Sequence, residues 1–488
     1  MNFFNIKSAK KLLCIAFIST LGLTGCNKFL DVNENPNNPD EAEPSLLLPT
    51  VEAGLSQVVG NSFQIYGNFW AQYWTQNPTS SQYRSIDQYR VLNTAVDRSW
   101  SILYRSALNN AELIINSDVA GSEYYKGIAY ILKAYGFQLA TDAFGDVPLS
   151  EALKGKDFVN PNYEGQEVVY DSIFTFIDKG KALFKATSAT GVSSQDMIFG
   201  GDLTQWEAFA NTLALRAYLR LSEVDATKAA AGIKTLYAEN AKFLTNDASI
   251  TYTTTGGNEN PLYNEMVGLG KTQNMVASST AVTAFTKNND PRLLAFYDIP
   301  LDSVHVVAIP QGSYASNTKV MASSPSALVG ASANNERSAL APAKLISKTE
   351  SLFLQSEAAV RGWGEGDAEA LYQAGVEASF LAAGLSAVDA STYLGQSAVA
   401  FPANGTAAKK IESIITQKYY AMCGFQGFEA WTEWRRTGYP TFFVESAANT
   451  LGEGRMPLRL PYANSEITSN ANFPGALSID KPVWWDVN

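Results

Sequence analysis

Residues 97–145 read DRSWSILYRSALNNAELIINSDVAGSEYYKGIAYILKAYGFQLATDAFG, and their pattern indicates a pair of helices. Its apolar residues recur at the spacing of one face of an α-helix, in two runs separated by a few small and polar residues. Two such helices joined by a short connection should pack as an antiparallel hairpin. The apolar positions are Trp100, Leu103, Tyr104, Ala107, Leu108, Ala111, Ile114 and Ile115 in the first run, and Ile128, Ile131, Leu132, Tyr135 and Leu139 in the second.

The same periodicity recurs along most of the chain. Asp202 or Thr204, and Asp225, stand where the N-caps of two further helices are expected. Segments 348–363 and 367–383 look like one tetratricopeptide-type unit, although no strict repeat period is present. The sequence therefore predicts a mainly α fold, a tetratricopeptide-like scaffold of helical hairpins with a loop-rich inserted lobe. Other predicted helical segments are 166–184, 203–222, 225–240, 406–424 and 427–440.

Composition divides the chain into successive regions. Between residues 241 and 342 the chain is rich in Gly, Ser, Thr and Asn, and only residues 277–287 look helical, so loops and short hairpins are expected there. Long ordered loops on a helical scaffold are frequent binding sites. The predicted regions are 44–240 and 343–440 for the scaffold, 241–342 for the loop-rich lobe and 441–488 for an irregular C-terminal segment.

The stretch GFEAWTEWRRTGYP, residues 427–440, concentrates rings and charges. On a helix, Phe428 and Trp431 fall on one face together with Trp434 or Arg435. The glycine and proline that follow end the helix, and the positive charges of arginines near its C-terminus interact favourably with the helix dipole. Packing and capping explain every residue, so the pattern favours a buried anchor over a shelf that stacks on a ligand.

Residues 1–25 have the pattern of a signal peptide that is removed. A basic start precedes the short apolar run LLCIAFISTLGL, and the segment ends with LTGC at Leu23–Cys26. Small residues followed by a cysteine resemble the lipobox of bacterial lipoproteins. We therefore predict that Cys26 carries fatty acyl chains of the palmitate type, since two or three chains anchor a protein stably. Residues 26–43, rich in Asn, Asp and Pro, are predicted to form a flexible tether.

Charge and residue counts exclude several classes of function. The net charge of −11, which becomes −14 when the three lysines of residues 1–25 are removed, argues against nucleic-acid binding. The single histidine, His305, lies in a strand-like apolar context, which argues against a His-paired nucleophile, and Cys423 is expected to be a buried inert thiol. Neither a metal motif nor a cofactor motif is present, so no metal and no cofactor are predicted. A glycosidase that uses two carboxylates stays open, because 47 acidic residues always offer pairs.

The segment NFWAQYWTQNPTSSQY, residues 68–83, interleaves aromatic rings with amides. Rings can stack on the C–H faces of sugars while amides bond hydroxyl groups, although ordinary contacts between helices use the same residues. We predict ligand contacts here from Trp70, Tyr73, Trp74, Gln76, Asn77 and Tyr83. Weaker candidates in the loop-rich lobe are Tyr252, Tyr263, Phe296, Tyr297 and Tyr314.

Several segments together resemble the SusD/RagB family of nutrient-binding outer-membrane lipoproteins of Bacteroidetes, in particular its second SusD-like branch. Each segment alone is weakly specific, but they follow one another in the family's order along essentially the whole chain after residue 25. They are the lipobox with NPNNP after it, FWAQYWTQ, ATDAFGDVPLSEAL, GGDLTQWEAFANTLALRAYLRLS, DPRL at 290–293, SLFLQSEAAVRGW, GFEAWTEWRRTGYP and RLPYANSE at 459–466.

The resemblance implies a non-catalytic surface lipoprotein of the outer membrane. Such a protein captures glycans, or in some branches peptides, and delivers them to a SusC-like TonB-dependent transporter. In this family the match at residues 427–440 is a hallmark of the fold rather than a ligand site. Ligand-binding residues vary strongly among members, so the resemblance carries over none of them. The peptide-binding alternative and the less favoured glycosidase both stay open.

Overall fold

The computed structural model describes residues 43–187 and 189–488, and residues 43–488 form one compact unit. The predicted signal peptide, the lipidation site Cys26 and most of the tether lie outside the described residues. Helices dominate the unit, which confirms the predicted fold class. Within the described residues, no helix combines the length and the apolar character needed to span a membrane.

Eighteen α-helices lie in the described part of the chain, together with shorter 3₁₀ and π segments. They are α1 (Pro44–Gln57), α2 (Phe63–Trp70), α3 (Arg84–Asp87), α4 (Asp97–Ser101), α5 (Asn109–Ile115), α6 (Glu123–Phe144), α7 (Gln166–Leu183), α8 (Leu203–Arg220), α9 (Ala226–Ala238), α10 (Pro261–Gly268), α11 (Ser279–Lys287), α12 (Leu293–Phe296), α13 (Lys348–Val360), α14 (Ala368–Ala382), α15 (Ala387–Leu394), α16 (Ala407–Met422), α17 (Gly427–Thr437) and α18 (Asn464–Ser469).

Six short strands form three separate antiparallel pairs in the described residues. They are β1 (Trp74–Gln76) with β5 (Met275–Ala277), β2 (Val147–Pro148) with β3 (Tyr163–Glu164), and β4 (Ala248–Ile250) with β6 (Ala343–Ile346). The first and third pairs connect the loop-rich lobe to the scaffold on either side of it in sequence. The lobe is thereby hydrogen-bonded into the helical unit.

Helical pairs form the scaffold, as the periodicity predicts. Helices α5 and α6 pack together, α6 packs still more extensively against α7, and α13 pairs with α14. The first predicted helix is less regular than its pattern suggests, because residues Ile102–Leu108 between α4 and α5 form a π segment. Two of the predicted N-caps are confirmed. Asp202 accepts hydrogen bonds from the backbone N–H groups of Thr204 and Gln205, and Asp225 accepts one from that of Lys228.

The loop-rich lobe contains more helix than expected. The predicted helix over residues 277–287 is confirmed as α11, but α10 was missed. Its first residue is Pro261, and proline is tolerated there because a backbone N–H at the first position has no partner within the helix. The Asn260 side chain caps the helix by accepting from the N–H groups of Leu262 and Tyr263. A proline and an asparagine read as loop signals, yet here they begin a helix.

Residues 427–440 form the buried anchor that the sequence predicts. Trp431 is fully buried on α17, and its Nε1 donates to the carbonyl of Pro457. Gly438 ends the helix in the left-handed conformation, at φ +71°. Helix α17 crosses α2 so closely that a Cβ on Gly67 would lie 2.0 Å from the backbone nitrogen of Phe428. Only glycine fits at that crossing point.

Three charges of α17 belong to a buried ion network, which we define as Arg220, Glu357, Lys418, Glu429, Glu433 and Arg436. Arg220 donates to Glu429 at 2.6 and 2.8 Å and to Glu433 at 2.5 Å. Arg436 donates to both Glu357 and Glu433. Burial alone would raise the pKa of the Glu433 carboxyl, but the surrounding Arg436, Lys418 and Arg220 outweigh it and hold that pKa well below its usual value. The network joins α8, α13, α16 and α17 through paired charges.

Candidate ligand-binding site

The structure corrects the predicted aromatic ligand site at residues 68–83. Trp70, Tyr73 and Trp74 are at most 2% exposed, so none of the three offers a ring face to a ligand. Trp70 packs against Trp431 with 4.8 Å between ring centroids, and the Tyr73 hydroxyl donates to the carbonyl of Tyr419 at 2.5 Å. These rings fill the core between the first and last parts of the unit.

The amides of the same segment satisfy its own irregular backbone. Gln76 Oε1 accepts from the N–H of Tyr83 at 2.6 Å, while its Nε2 donates to the carbonyl of Asn77 and to Ser80 Oγ. Asn77 donates to the carbonyl of Gln273 at 2.8 Å, and the Tyr83 hydroxyl donates to Glu265. Interleaved rings and amides therefore mark a buried, turning segment here, in which the amides replace missing backbone partners.

The weaker aromatic candidates of the loop-rich lobe are also largely withdrawn from the surface. Four of them are buried: Tyr263, Phe296, Tyr297 and Tyr314. Tyr252 is half-buried, and its hydroxyl contacts Ser56. Cys423 is fully buried, as predicted, and burial raises the pKa of its thiol.

An open cavity of about 660 Å³ lies instead between α11, α16, the segment around Val399 and the loop 440–444. Its size is typical of a small-molecule site, for which 300 to 1,000 Å³ is usual. Its walls come from parts of the chain that are far apart in sequence. The cavity is therefore visible only after folding.

Helix α16 contributes one wall. Lys409, Glu412, Ser413, Thr416 and Tyr420 line the cavity, and their spacing of three and four residues puts them on one helix face. Lys409 and Glu412 form a partly exposed ion pair at 2.9 Å. A polar helix face normally points to water, and nothing in the sequence distinguishes it from a binding wall.

Helix α11 contributes the facing wall with Ser279, Thr280, Thr283 and Lys287. Hydroxyl groups therefore stand on both sides of the cavity. Thr416 Oγ1 donates to the carbonyl of Glu412 at 2.6 Å. On the same helix, Ser413 Oγ donates to the carbonyl of Lys409 at 3.1 Å. Because these hydroxyl hydrogens are already committed, their oxygens remain available as acceptors for a ligand that donates hydrogen bonds.

Aromatic side chains supply the apolar part of the lining. Phe442 is half-buried on the loop 440–444, and its ring lies 5.3 Å from that of Tyr419 and 6.5 Å from that of Tyr420. The Tyr420 hydroxyl donates to the carbonyl of Ala284, and burial raises the pKa of Tyr420 to about 12, so the phenol stays neutral. The rings of Phe442 and Tyr420, together with the hydroxyl groups of α11 and α16, suit a ligand that has both C–H faces and hydroxyl groups.

Gln311 adds a buried polar group at the cavity. Its Nε2 donates to the carbonyls of Phe69 and Trp74 and to Asp87 Oδ1. Its Oε1 has no hydrogen-bond partner among the described residues. Burial raises the pKa of the Asp87 carboxyl to about 6, although the hydrogen bonds that it accepts lower that pKa.

The described residues contain no group of three or more His, Cys, Asp or Glu side chains placed to hold a metal ion.

Comparison with known families decides the assignment of this chain. Residues 36–463 match the SusD-like family model described as starch-binding and associating with the outer membrane. The chain belongs to the SusD-like family. This confirms the family predicted from the order of the sequence motifs.

Solved structures agree with the family assignment. A chitin-binding protein is 25% identical, with a TM-score of 0.76, over 91% of this chain and 100% of that chain. A SusD homologue from Bacteroides vulgatus is also 25% identical, with a TM-score of 0.72, over 87% of this chain and 92% of the other. A chitin-binding SusD homologue from Flavobacterium johnsoniae, 24% identical with a TM-score of 0.74 over 90% of this chain and 99% of that one, shares the fold. No functionally curated protein matches the chain.

Proposed function

We propose that this SusD-like protein is a surface-exposed, lipid-anchored capture protein that binds glycans in the cavity and delivers them to a SusC-like TonB-dependent transporter. The observation that carries the glycan proposal is the cavity lining, which combines the rings of Phe442 and Tyr420 with hydroxyl groups on α11 and α16. The family description and the chitin-binding neighbour of 25% identity favour sugar oligomers, with N-acetylglucosamine oligomers as the first class to test.

The cavity lining favours binding over glycoside hydrolysis. Hydrolysis requires two suitably spaced carboxyl groups. Glu412 is the single carboxylate among the described residues that line the cavity, and it is paired with Lys409. A protein that releases its cargo to a transporter needs moderate affinity, which corresponds to about 4 to 8 kcal/mol for millimolar to micromolar binding.

Isothermal titration with N-acetylchitotetraose, maltotetraose and a set of short peptides tests the proposal. We expect one of the two oligosaccharides to bind in the micromolar to millimolar range, and Phe442→Ala to weaken that binding about tenfold, or about 1.4 kcal/mol. Phe443→Ala is the matched control. Phe443 is also half-buried but stacks on Trp434 at 5.4 Å rather than lining the cavity.

Three results would contradict the proposal in different ways. Equal affinity in the Phe442→Ala variant would move the site away from this cavity. Binding of the peptides alone would select the peptide-binding alternative. Shortening of the oligosaccharide during long incubation would make the protein an enzyme. Delivery is tested separately, by asking whether a TonB-dependent transporter co-purifies with the protein from detergent-solubilised outer membranes.

A further inference from the structure

Gln72 occupies an unusual position directly behind the cavity. It lies between α2 and β1, is 1% exposed, and adopts φ +59°. Residues other than glycine rarely occupy this left-handed region, and they persist there only where the surrounding structure holds them. Hydrogen bonds of its side chain hold Gln72 in this conformation.

The Gln72 amide connects two walls of the cavity. Its Nε2 donates to the carbonyl of Val444 at 2.6 Å, and its Oε1 accepts from the N–H of Val444 at 3.1 Å. The same Oε1 accepts from Thr280 Oγ1 at 2.8 Å. Val444 ends the loop that carries Phe442, and Thr280 stands on the first turn of α11.

The loop 440–444 is hydrogen-bonded to this amide through its last residue. The N–H and the carbonyl of Val444 both bond to the Gln72 side chain, and the other backbone feature of the loop is a turn at Thr441 and Phe442. The rings of Phe442 and Phe443 also contact Tyr419, and Phe443 stacks on Trp434.

The residues next to Gln72 fix the remaining walls. The Tyr419 hydroxyl donates to the carbonyl of Ala71 at 3.1 Å, which holds α16. The N–H of Ser278 donates to the carbonyl of Tyr73 at 3.1 Å, which holds the start of α11. The turn 71–73 therefore contacts both helices and the loop.

We propose that Gln72 is a positioning residue, which sets the separation between the Phe442 loop and α11 and so the width of the cavity. The inference rests on the proposed function for what the cavity binds. Its structural part, the restraint of the loop, stands independently and is tested without a ligand. A carboxamide suits the role because one group must both donate and accept across the same backbone unit.

Gln72→Gly is the main test variant, because glycine adopts a positive φ without strain and only the side chain is lost. Gln64→Ala is the matched control. Gln64 is also a buried glutamine, 5% exposed, with hydrogen bonds to the carbonyls of Val329 and Gly424, but it does not line the cavity. Gln72→Glu keeps the two acceptor contacts but puts a carboxylate oxygen against the carbonyl of Val444, where the unaltered side chain donates.

Hydrogen–deuterium exchange of the ligand-free protein reads the restraint directly. We expect the peptide covering residues 440–446 to exchange faster in both Gln72→Gly and Gln72→Glu, and at the unaltered rate in Gln64→Ala. Unchanged exchange in Gln72→Gly would overturn the inference, and so would equal acceleration in Gln64→Ala.

Affinity for N-acetylchitotetraose or maltotetraose, whichever the unaltered protein binds, then tests the consequence for the cavity. We expect about a tenfold loss in Gln72→Gly and no change in Gln64→Ala. Faster exchange with unaltered affinity would overturn the role of Gln72 in setting the cavity. If the unaltered protein binds neither sugar, the proposed function fails, and the exchange experiment alone decides whether Gln72 restrains the loop.

Discussion

Replacing Arg436 with methionine tests whether the buried ion network holds the helices together. Arg436 is fully buried and donates to Glu357 at 2.8 and 2.7 Å, to Glu433 at 3.1 and 2.6 Å, and to the carbonyl of Leu219 and Ser222 Oγ. Removing one partner of a buried ion pair costs about 3–5 kcal/mol, because the remaining charge is left without compensation.

The remaining partners place Arg436→Met at the lower end of that range. Glu357 keeps Arg361 at 2.9 Å, and Glu433 keeps Arg220 and Lys418. We therefore expect the free energy of unfolding to fall by about 3 kcal/mol. Adding Glu357→Gln to Arg436→Met should cost less than the sum of the two single substitutions, since the first has already removed the two Arg436 hydrogen bonds to Glu357 that the second would disturb.

Chemical denaturation followed by circular dichroism measures these differences. Lys409→Met is the control, because it breaks a partly exposed ion pair and should cost less than about 1 kcal/mol. A loss below about 1 kcal/mol for Arg436→Met would refute the reasoning, as would strict additivity with Glu357→Gln.

Further predictions concern the core, its protonation and the anchor. Trp431→Ala should lower the free energy of unfolding by about 3–5 kcal/mol, measured by denaturation, since the ring is fully buried; a loss below about 1 kcal/mol would remove Trp431 from the core. Burial raises the pKa of Asp87 to about 6, so folding favours its protonated form, and its contribution to stability should fall by about 3 kcal/mol as pH rises from about 4 to about 6. Denaturation at several pH values should show this decline relative to Asp87→Asn, and parallel curves for the two proteins would contradict it. Cys26→Ala should abolish incorporation of labelled palmitate in cells, and continued labelling would refute the lipid anchor.

The helical scaffold was predictable because its signals are local. Periodicity over residues 123–145 gives α6, and Asp202 and Asp225 cap their helices as their positions suggest. The buried position of Trp431 was also predictable, since it shares a helix face with Phe428, whereas the burial of Glu433 and Arg436 in the ion network was not.

The candidate site was not predictable, because its determinants are non-local. A ring beside an amide has the same sequence pattern whether it faces a sugar or a core. Trp74 and Gln76 are fully buried in a strand that pairs with the distant β5, which the local sequence does not reveal. The polar face of α16 and the single ring of Phe442 become a cavity only when α11 folds against them. The sequence signal of each part is that of an ordinary exposed helix or loop.

The glycine contact between α2 and α17 has a consequence for how the chain reaches its native state. Gly67 and Gly427 are 360 positions apart in sequence, yet their backbones touch in the folded unit. During synthesis from the N-terminus, α2 cannot pack against α17 until nearly the whole polypeptide has been made. Closing so long a loop is entropically costly and slows folding. A nascent chain that stops short of residue 427 therefore leaves the apolar face of α2 without its partner helix, and such exposed apolar surface is recognised by chaperones and proteases.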